Sequence, residues 1–295
     1  MPESLQPLLF VGRSTLDVLY RVDELPEEDT KIYASRLDAA PGGPALNAAL
    51  TAALLGSSTQ LASAVGGGLW AEVVRRKLCE TGVGLIDLAA GTSFETPLAT
   101  VLVNARKATR TAINPPLDQQ PLKKLSAVWP AGSQNLPAFA LTDGFHLAES
   151  IDFLRECTKA GTRLCLDGGS WKPLTEELAP LLDAAICGER FAIPGQPATP
   201  ESVFSWFATQ GVDRVAITRG ARSILARDSG RSFEIHIEPV HMADTLGAGD
   251  VLHGGFLHHY AAGLGFEEAL KRAAKLASLS CRGVGVEAWR KLANQ

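Results

Sequence analysis

The stretch Ala243-Asp244-Thr245-Leu246-Gly247-Ala248-Gly249-Asp250 places two glycines around one alanine and ends in an aspartate. Apolar residues then recur at helical spacing, at Leu252, Phe256 and Tyr260. The pattern predicts a glycine turn that opens a helix. The first amides of a helix have no intrahelical acceptor and carry partial positive charge, so such a turn is suited to binding a phosphate.

The aspartate in this turn has two interpretations. As an N-cap, Asp250 would only accept hydrogen bonds from helix amides. As a general base, it would take a proton from a hydroxyl that attacks a phosphate, a role that explains a carboxylate at a place where it otherwise repels the anion. Because Asp244 and Thr245 also precede the glycines, we favour the catalytic interpretation.

Asp244–Asp250 resembles the C-terminal signature of the ribokinase-like (PfkB) carbohydrate kinases. The resemblance implies a three-layer α/β fold with a mostly parallel central sheet, helices on both faces and a small β-sheet lid over the sugar. It also implies an ATP-dependent sugar kinase with Mg²⁺ as cofactor, whereas no residue indicates a monovalent cation. In this interpretation Asp250 is the base, and Gly247, Ala248 and Gly249 form an anion hole that also binds the nucleotide phosphates.

Composition and charge fit this class of protein. The 295 residues are 46% hydrophobic and 20% charged, as in globular proteins. The net charge of −4 argues against a nucleic-acid surface. Neither a secretion signal nor an apolar run long enough for a membrane is recognised. The five cysteines, with no CxxC pair, are expected to be buried thiols in a cytoplasmic protein.

The six histidines show no metal-binding pattern, so no transition-metal site is expected. We expect His253 and His258 to be surface residues or satisfied core residues.

From residue 120 on, short apolar strands alternate with helices, which predicts a parallel sheet covered on both faces. The predicted strands are 138–142, 163–167, 184–187, 214–218, 223–227 and 233–237, and the predicted helices are 151–160, 175–182, 201–210, 251–262, 266–281 and 287–294.

The first 115 residues mix this pattern with exposed strands. The predicted core elements are a strand at 8–12, a helix at 45–56, a strand at 60–65 and a helix at 70–81. Segments 14–40 and 93–115, the second with a hairpin around Ala105-Arg106-Lys107, are expected to form a small sheet outside the main one. The resemblance assigns these segments to the lid of a single domain over residues 1–295. Unpaired edges and one apolar face of the lid favour a homodimer.

Two motifs in the first half are candidates for substrate binding. Gly42 and Gly43 precede Asn47 in a stretch that resembles the family's Gly-Gly motif beside the sugar, although a plain helix entry is the alternative. Asp17 lies where the family holds two sugar hydroxyls, and a solvated loop aspartate is the alternative. Asp143 ends a strand at the carboxyl edge of the sheet, where ligands of open α/β sheets bind, and is a candidate substrate contact.

The resemblance also assigns nucleotide contacts. Arg110 on the lid hairpin corresponds to an arginine that reaches the nucleotide phosphates in ketohexokinase, and a guanidinium suits that role. Thr218 and Gly220 match the family's Thr-x-Gly nucleotide loop. Gly283 is assigned by family position alone, and Asp167 is a candidate for holding water on a magnesium ion.

The sequence departs from the family at several positions. Cys187 and Arg190 replace the asparagine and glutamate of the Asn-x-x-Glu motif, and Ser223 replaces a glycine of the nucleotide loop. The ketohexokinase and sulfofructose kinase branches, which we take as nearest, depart at the first motif too. Pro44 stands at a sugar-contacting asparagine of ketohexokinase. These changes leave open a sugar- or nucleotide-binding sensor without turnover, against which the intact Asp250 argues.

A dinucleotide oxidoreductase is the third class considered. Gly66-Gly67-Gly68 is not a GxGxxG fingerprint, and no strand–glycine–helix unit opens the chain. The sequence therefore favours a kinase that transfers the γ-phosphate of ATP to a primary hydroxyl of a ketose or furanose.

Overall fold

The computed structural model describes residues 6–107, 109–116, 120–130, 136–240 and 245–283. The elements of the first half are β1 Leu8–Val11, β2 Thr15–Val22, β3 Arg36–Gly42, α1 Pro44–Leu54, β4 Thr59–Ser63, α2 Gly68–Thr81, β5 Val83–Asp87, β6 Leu98–Asn104, β7 Thr109–Ile113 and α3 Leu125–Val128. Those of the second half are β8 Phe139–Thr142, α4 Leu147–Lys159, β9 Arg163–Gly168, α5 Thr175–Leu178, a 3-10 turn at Ala179–Leu181, β10 Leu182–Gly188, α6 Pro200–Thr209, β11 Arg214–Arg219, β12 Arg222–Asp228, β13 Arg231–Ile235, α7 Ala248–Ala261 and α8 Phe266–Ser280.

Nine strands form the central sheet in the order β13-β12-β11-β10-β9-β8-β1-β4-β5. The pairs from β11 to β5 are parallel, and at one edge β12 pairs antiparallel with both β11 and β13. Buried apolar clusters lie on both faces, one under α1, α2, α7 and α8 and the other under α4 and α6. The predicted three-layer α/β architecture is therefore confirmed.

The connections reverse direction at the centre of this sheet. From β1 the chain passes to β4 on one side, whereas from β8 it passes to β9 on the other, and β1 and β8 are neighbours. In open α/β sheets, ligands bind beyond the carboxyl ends of the strands at such a switch point. The segments that follow β1 and β8 are therefore the first place to look for a site.

A second sheet of four strands, in the order β3-β2-β6-β7, lies outside the central one. β2 pairs antiparallel with β3 and parallel with β6, and β6 forms a hairpin with β7. This confirms the expected small sheet outside the main one, and its strand β3 ends two residues beyond the expected segment 14–40. Leu37 and Ile113 are more than half exposed on it.

Helices α1 and α7 pack closely against each other because of one glycine. A Cβ added at Gly254 would lie 2.2 Å from the carbonyl oxygen of Ala48 and 2.8 Å from Cβ of Thr51. Any other residue at 254 would force the two helices apart. The two predicted motifs at the starts of these helices are therefore held side by side.

Several details differ from the sequence-based expectation. The predicted helix over 175–182 ends at Leu178 and continues as a 3-10 turn, because Pro180 lacks the amide that an α-helix needs. β5 and the short α3 were not predicted. Cys79 is exposed and Cys281 is partly buried, so the expectation of buried thiols was wrong for these two.

The predicted helix at 287–294, together with His241 and Asp244, lies outside the described residues. None of the helices in the described ranges is long and apolar enough to cross a bilayer.

Candidate active site

The starts of α1 and α7 bring Asn47 and Asp250 together. Nδ2 of Asn47 donates a hydrogen bond of 2.7 Å to Oδ2 of Asp250. Asn47 is only 4% exposed, and its Oδ1 is buried without a partner among the described residues. A buried carbonyl oxygen without a donor is costly, so this atom is available to a ligand hydroxyl.

Asp250 is electrostatically poised to accept a proton. Burial raises the pKa of its carboxyl group well above the ordinary value, and the negative charge of Asp167 raises it further. The hydrogen bond from Asn47 acts in the opposite direction by stabilising the charged form. A carboxylate with raised pKa is a stronger base than one in water, as general-base catalysis near neutral pH requires.

The glycine turn in front of Asp250 has the geometry of an anion site. Gly247 adopts a left-handed conformation with φ of 72° and caps α7, which begins at Ala248. A Cβ at Gly249 would meet nothing within 4 Å, so the space in front of this backbone is open. Together with the positive end of a 14-residue helix, this open turn fits a phosphate group.

Arg110 joins the small sheet to this turn. Nη1 of Arg110 on β7 donates a 3.1 Å hydrogen bond to Oγ1 of Thr245, which lies two residues before Gly247. The structure therefore places the predicted phosphate-binding arginine beside the predicted anion hole, 135 residues apart in sequence. The side chain of Arg110 is exposed. A phosphate oxygen could replace the hydroxyl of Thr245 as the acceptor of its hydrogen bond.

Asp17 faces the same region from the small sheet. Oγ1 of Thr15 donates a 2.6 Å hydrogen bond to its Oδ1, and burial raises the pKa of this carboxyl group. A Cβ at Gly42 would lie 2.0 Å from Oδ2 of Asp17. The glycine therefore makes room for this carboxylate, whereas contact of Gly42 itself with a substrate stays a prediction.

Gly43 has a comparable role one residue later. Its φ is 100°, and a Cβ there would lie 2.4 Å from the carbonyl oxygen of Arg13. Gly42 and Gly43 thus both allow a close approach of the backbone, but the groups that approach are other parts of this chain, Asp17 and Arg13. Contact of Gly43 with a substrate also stays a prediction.

Asp143 joins the two central loops at the switch point. Its Oδ2 accepts hydrogen bonds from the amides of Arg13 and Ala45, and its Oδ1 accepts one from the amide of Phe145. The residue is 2% exposed, and burial raises its pKa to about 7. Asp143 thus connects the loop after β1, the start of α1 and the loop after β8 through its carboxylate. Contact of Asp143 with a substrate stays a prediction.

Asp167 and His253 form a buried pair behind Asp250. Oδ2 of Asp167 lies 3.3 Å from Nδ1 of His253, and the two ring nitrogens face the carbonyl oxygens of Gly249 and Ile186 at 2.7 and 3.1 Å. His253 is thus a satisfied core residue. Within the described ranges no cluster of three or more histidine, cysteine or acidic residues could hold a metal by itself, so the role of Asp167 toward magnesium stays a prediction.

The Thr-x-Gly loop and the altered Asn-x-x-Glu region are neighbours. Oγ1 of Thr218 donates to the carbonyl oxygen of Cys187 at 3.3 Å, and Gly220 turns the chain with φ of 65°. Glu189 is paired with Arg222, while Arg190 is exposed. Gly283 follows the end of α8, and its place at the nucleotide stays a prediction.

Two cationic residues near the switch point were missed by sequence reasoning. Arg13 follows β1 directly, four positions before Asp17, and that position could have drawn attention to it. Lys172 lies in the β9–α5 loop, and no local signal marks it. Both lie close to the ring of Phe145, with Arg13 Cζ at 5.2 Å and Lys172 Nζ at 4.6 Å from its centroid.

Comparisons with known proteins identify the family of the chain. A family model described as "pfkB family carbohydrate kinase" matches residues 6–290. A nucleoside kinase of Methanothermobacter thermautotrophicus is 34% identical over 98 residues, which are 33% of this chain and 32% of that protein.

Two solved structures share the fold over the whole chain. Arabidopsis thaliana ribokinase complexed with ribose and ATP superposes with a TM-score of 0.77 at 23% identity, covering 98% of each chain. A protein assigned as ribokinase II from E. coli, in complex with ATP and Mg²⁺, superposes with a TM-score of 0.78 at 17% identity, covering 98% of this chain and all of the other.

Proposed function

The chain belongs to the pfkB family of carbohydrate kinases, and from that premise we propose that it transfers the γ-phosphate of ATP to a primary hydroxyl of a ketose or furanose. The observation that carries this proposal is the carboxylate of Asp250, held by Asn47 at the mouth of the open glycine turn. The proposed base and the proposed anion site thus come from one short segment, and phosphoryl transfer to an alcohol needs the two close together in space.

In this proposal the protein's own groups divide the work. Asp17 and the free Oδ1 of Asn47 hold sugar hydroxyls, which orients the primary alcohol toward Asp250. Asp250 takes the alcohol proton as the oxygen attacks. The backbone around Gly247–Gly249 stabilises negative charge on the phosphoryl group, an effect worth several kcal/mol in comparable sites.

ATP and Mg²⁺ fit the residues present. The open space over Gly249 and the adjacent Arg110 are complementary to phosphate oxygens. Magnesium bound with ATP would neutralise charge on the phosphates, and in this proposal Asp167 holds water of that ion. Closure of the small sheet over the sugar would exclude water and so limit hydrolysis of ATP.

The test compares the wild type with Asp250→Asn on a panel of ketoses, pentoses and nucleosides with ATP and Mg²⁺. We expect at least one phosphorylated product, and a loss of about three or more orders of magnitude in kcat for the variant. The substitution keeps the size of the side chain and the partner Asn47, so it removes the base without opening a cavity.

A second candidate is a sensor that binds nucleotide and sugar without turnover. It is favoured by the altered Asn-x-x-Glu region, where a buried thiol and an exposed arginine replace polar groups. Binding of ATP without any product across the sugar panel would support this candidate. Turnover of one sugar that depends on Asp250 would exclude it.

We also propose that the protein works as a homodimer in the cytoplasm, where ATP is available. The small sheet presents Tyr20, Leu37, Leu98 and Ile113 with 38–59% exposure, and such a face is suited to a second copy. Light scattering with wild type and Leu37→Glu tests this. A monomeric wild type would contradict the dimer, and dissociation of the variant alone would support it.

A further inference from the structure

A cavity of about 320 Å³ opens beside the switch point of the central sheet. It is bounded by the loops that follow β1, β8 and β9 and by the first turn of α4. Its charged lining residues are Arg13, Lys172 and Glu149, and the rest is largely apolar, including Phe94, Leu122 and Phe145. The proposed chemistry at Asp250 uses none of these residues, so it does not explain why charged side chains line the cavity.

Two nitrogens of the Arg13 guanidinium lack acceptors in the part of the chain that the structure describes. Its Nε and Nη2 are buried and have no hydrogen-bond partner among the described residues. By contrast, Arg163 and Arg214, which are also partly buried, both pair with Asp183. Burying guanidinium nitrogens without acceptors is costly. Such an arrangement is expected where the acceptor is a ligand.

Lys172 adds a second positive charge to the same wall. Its Nζ has only the carbonyl and hydroxyl oxygens of Ser170 as acceptors, at 3.2 and 3.3 Å. Burial lowers the pKa of its ammonium group, against the effect of Asp143. In the described part of the chain, neither Lys172 nor Arg13 forms an ion pair with a carboxylate.

The negative groups nearby offset these two charges only in part. The oxygens of Asp143 are occupied by backbone amides, and its pKa of about 7 leaves the group partly neutral at physiological pH. His146 also lines the cavity, and burial lowers its pKa to about 4, so it is uncharged there. Glu149 is the single carboxylate among the lining residues, so the lining itself carries a net positive charge. Beyond the lining, the carboxylate of Asp17 acts on Arg13 and that of Asp167 acts on Lys172.

The cavity adjoins the residues proposed to hold the sugar. The amide of Arg13 donates to Asp143, its carbonyl oxygen lies against Gly43, and its charge acts on Asp17. A substrate bound at Asp17 and Asn47 would therefore have the guanidinium of Arg13 at one side, and Lys172 lines the same cavity as Arg13.

We propose that this cavity binds an anionic group of the sugar substrate, a carboxylate, phosphate or sulfonate, on a carbon other than the one that is phosphorylated. This inference rests on the proposed kinase activity and names the substrate class, an acidic sugar. Arg13 is suited to bind two oxygens of such a group with its planar fork, and Lys172 supplies a point charge. A neutral sugar would leave both cations unpaired, which selects against it.

The kinetic test compares neutral sugars with acidic partners of the same skeleton, in three sets that carry a carboxylate, a phosphate or a sulfonate. We expect kcat/KM to be about 100-fold or more higher for the acidic partner in one set. Arg13→Gln and Lys172→Gln should each lower kcat/KM for that substrate by about tenfold or more, mainly through KM. Equal or better turnover of the neutral partner in every set would overturn the proposal.

Two further variants separate a binding role from a structural one. Glu149→Gln removes the opposing charge and is expected to lower KM for the acidic sugar, which loss of a purely structural contact would not do. Arg155 lies on α4 like Glu149 but outside the cavity lining, and it pairs with Asp152. The second variant is therefore Arg155→Gln. It is the control, and its KM should equal that of the wild type.

A binding experiment keeps this inference distinct from the kinase activity. Inorganic phosphate is titrated calorimetrically in the presence of Mg²⁺ and a non-hydrolysable ATP analogue, which fills the proposed triphosphate site. Binding that weakens about fivefold or more in Arg13→Gln and Lys172→Gln supports the anion site even if no sugar is phosphorylated. Absence of binding, or binding unchanged in both variants, overturns it, whatever the enzyme phosphorylates.

Discussion

Asn47 and Asp250 are 203 residues apart in sequence, yet the amide of the first donates a 2.7 Å hydrogen bond to the carboxylate of the second. The bond orients the proposed base and stabilises its charged form. The side-chain oxygen of Asn47, Oδ1, is left buried without a protein partner among the described residues. One side chain thus links the proposed sugar contact to the proposed proton acceptor.

Loss of this bond should change the pH dependence of the reaction. In Asn47→Ala, the carboxylate of Asp250 loses a donor to its charged form, so its pKa rises further and the acid limb of kcat moves to higher pH. A charge-assisted hydrogen bond of about 1.5–3 kcal/mol corresponds to a change of about one to two pH units. The measurement is the pH profile of kcat at saturating sugar.

Thr51→Val is the matched control for this prediction. It removes a buried hydrogen bond to the carbonyl oxygen of Asn47 one turn along the same helix, without touching Asp250. An acid limb that is the same in the wild type, Asn47→Ala and Thr51→Val would show that the bond does not set the pKa.

Replacement of the proposed base should stabilise the folded protein at neutral pH. The raised pKa of Asp250 means that the folded state binds its proton more tightly than the unfolded state does. The charge therefore costs stability above the ordinary carboxyl pKa, and this cost grows as the pH rises toward the folded pKa. Asp250→Asn removes the cost, so its Tm should exceed that of the wild type by about 2–4 °C at pH 8.

The sign of this effect is checked by repeating the melts at lower pH. As the pH falls toward the ordinary carboxyl pKa, Asp250 becomes protonated in the folded and then also in the unfolded wild type, so the difference in Tm should shrink toward zero. A variant that is less stable than the wild type at pH 8 would contradict the raised pKa.

The space beside Asp17 should be intolerant of a methyl group. In Gly42→Ala, the new Cβ would lie 2.0 Å from Oδ2 of Asp17, so the carboxylate must move away from its hydrogen bond with Thr15. We expect KM for the sugar to rise about tenfold or more while ATP binding is retained. The measurement is steady-state kinetics with each substrate varied in turn.

Gly84→Ala provides the comparison for Gly42→Ala. It also lies in a strand, but its Cβ would meet Cγ of Gln60 at 3.4 Å, an ordinary contact. Its KM for the sugar should equal that of the wild type. Equal KM values for the sugar in Gly42→Ala and Gly84→Ala would contradict the proposal that Asp17 contacts the sugar.

The arginine on the lid hairpin should matter for the nucleotide. Arg110→Gln loses the charge next to the glycine turn, so KM for ATP is expected to rise about tenfold with a smaller effect on the sugar. Arg106→Gln removes a charge from the same hairpin, where the residue pairs with Glu24, and should leave KM for ATP unchanged. An equal rise of KM for ATP in the two variants would show that any positive charge on the hairpin has this effect, and it would contradict a direct contact of Arg110 with the nucleotide.

The local features of this protein were readable from the sequence because they depend on neighbouring residues. The glycine turn before Asp250, the alternation of strands and helices beyond residue 120 and the two lid segments follow from spacing and turn chemistry. The 3-10 turn at Ala179–Leu181 was not predicted, although its cause, the missing amide of Pro180, is also local.

The residues that meet across the fold could not be derived in this way. Asn47 reaches Asp250 because a glycine at 254 lets α1 and α7 approach, and Asp143 connects three segments because three backbone amides converge on it.

The sequence by itself determined the family of the chain, the class of its fold and the identity of the proposed base, because each depends on a short motif or on a repeated pattern. Only the tertiary structure decided which side chains share a site. It brought Arg13 and Lys172 to one cavity from two different loops, and it left buried guanidinium nitrogens of Arg13 without an acceptor in the described chain. Such proximity arises from the packing of elements far apart in sequence, for which no local pattern exists.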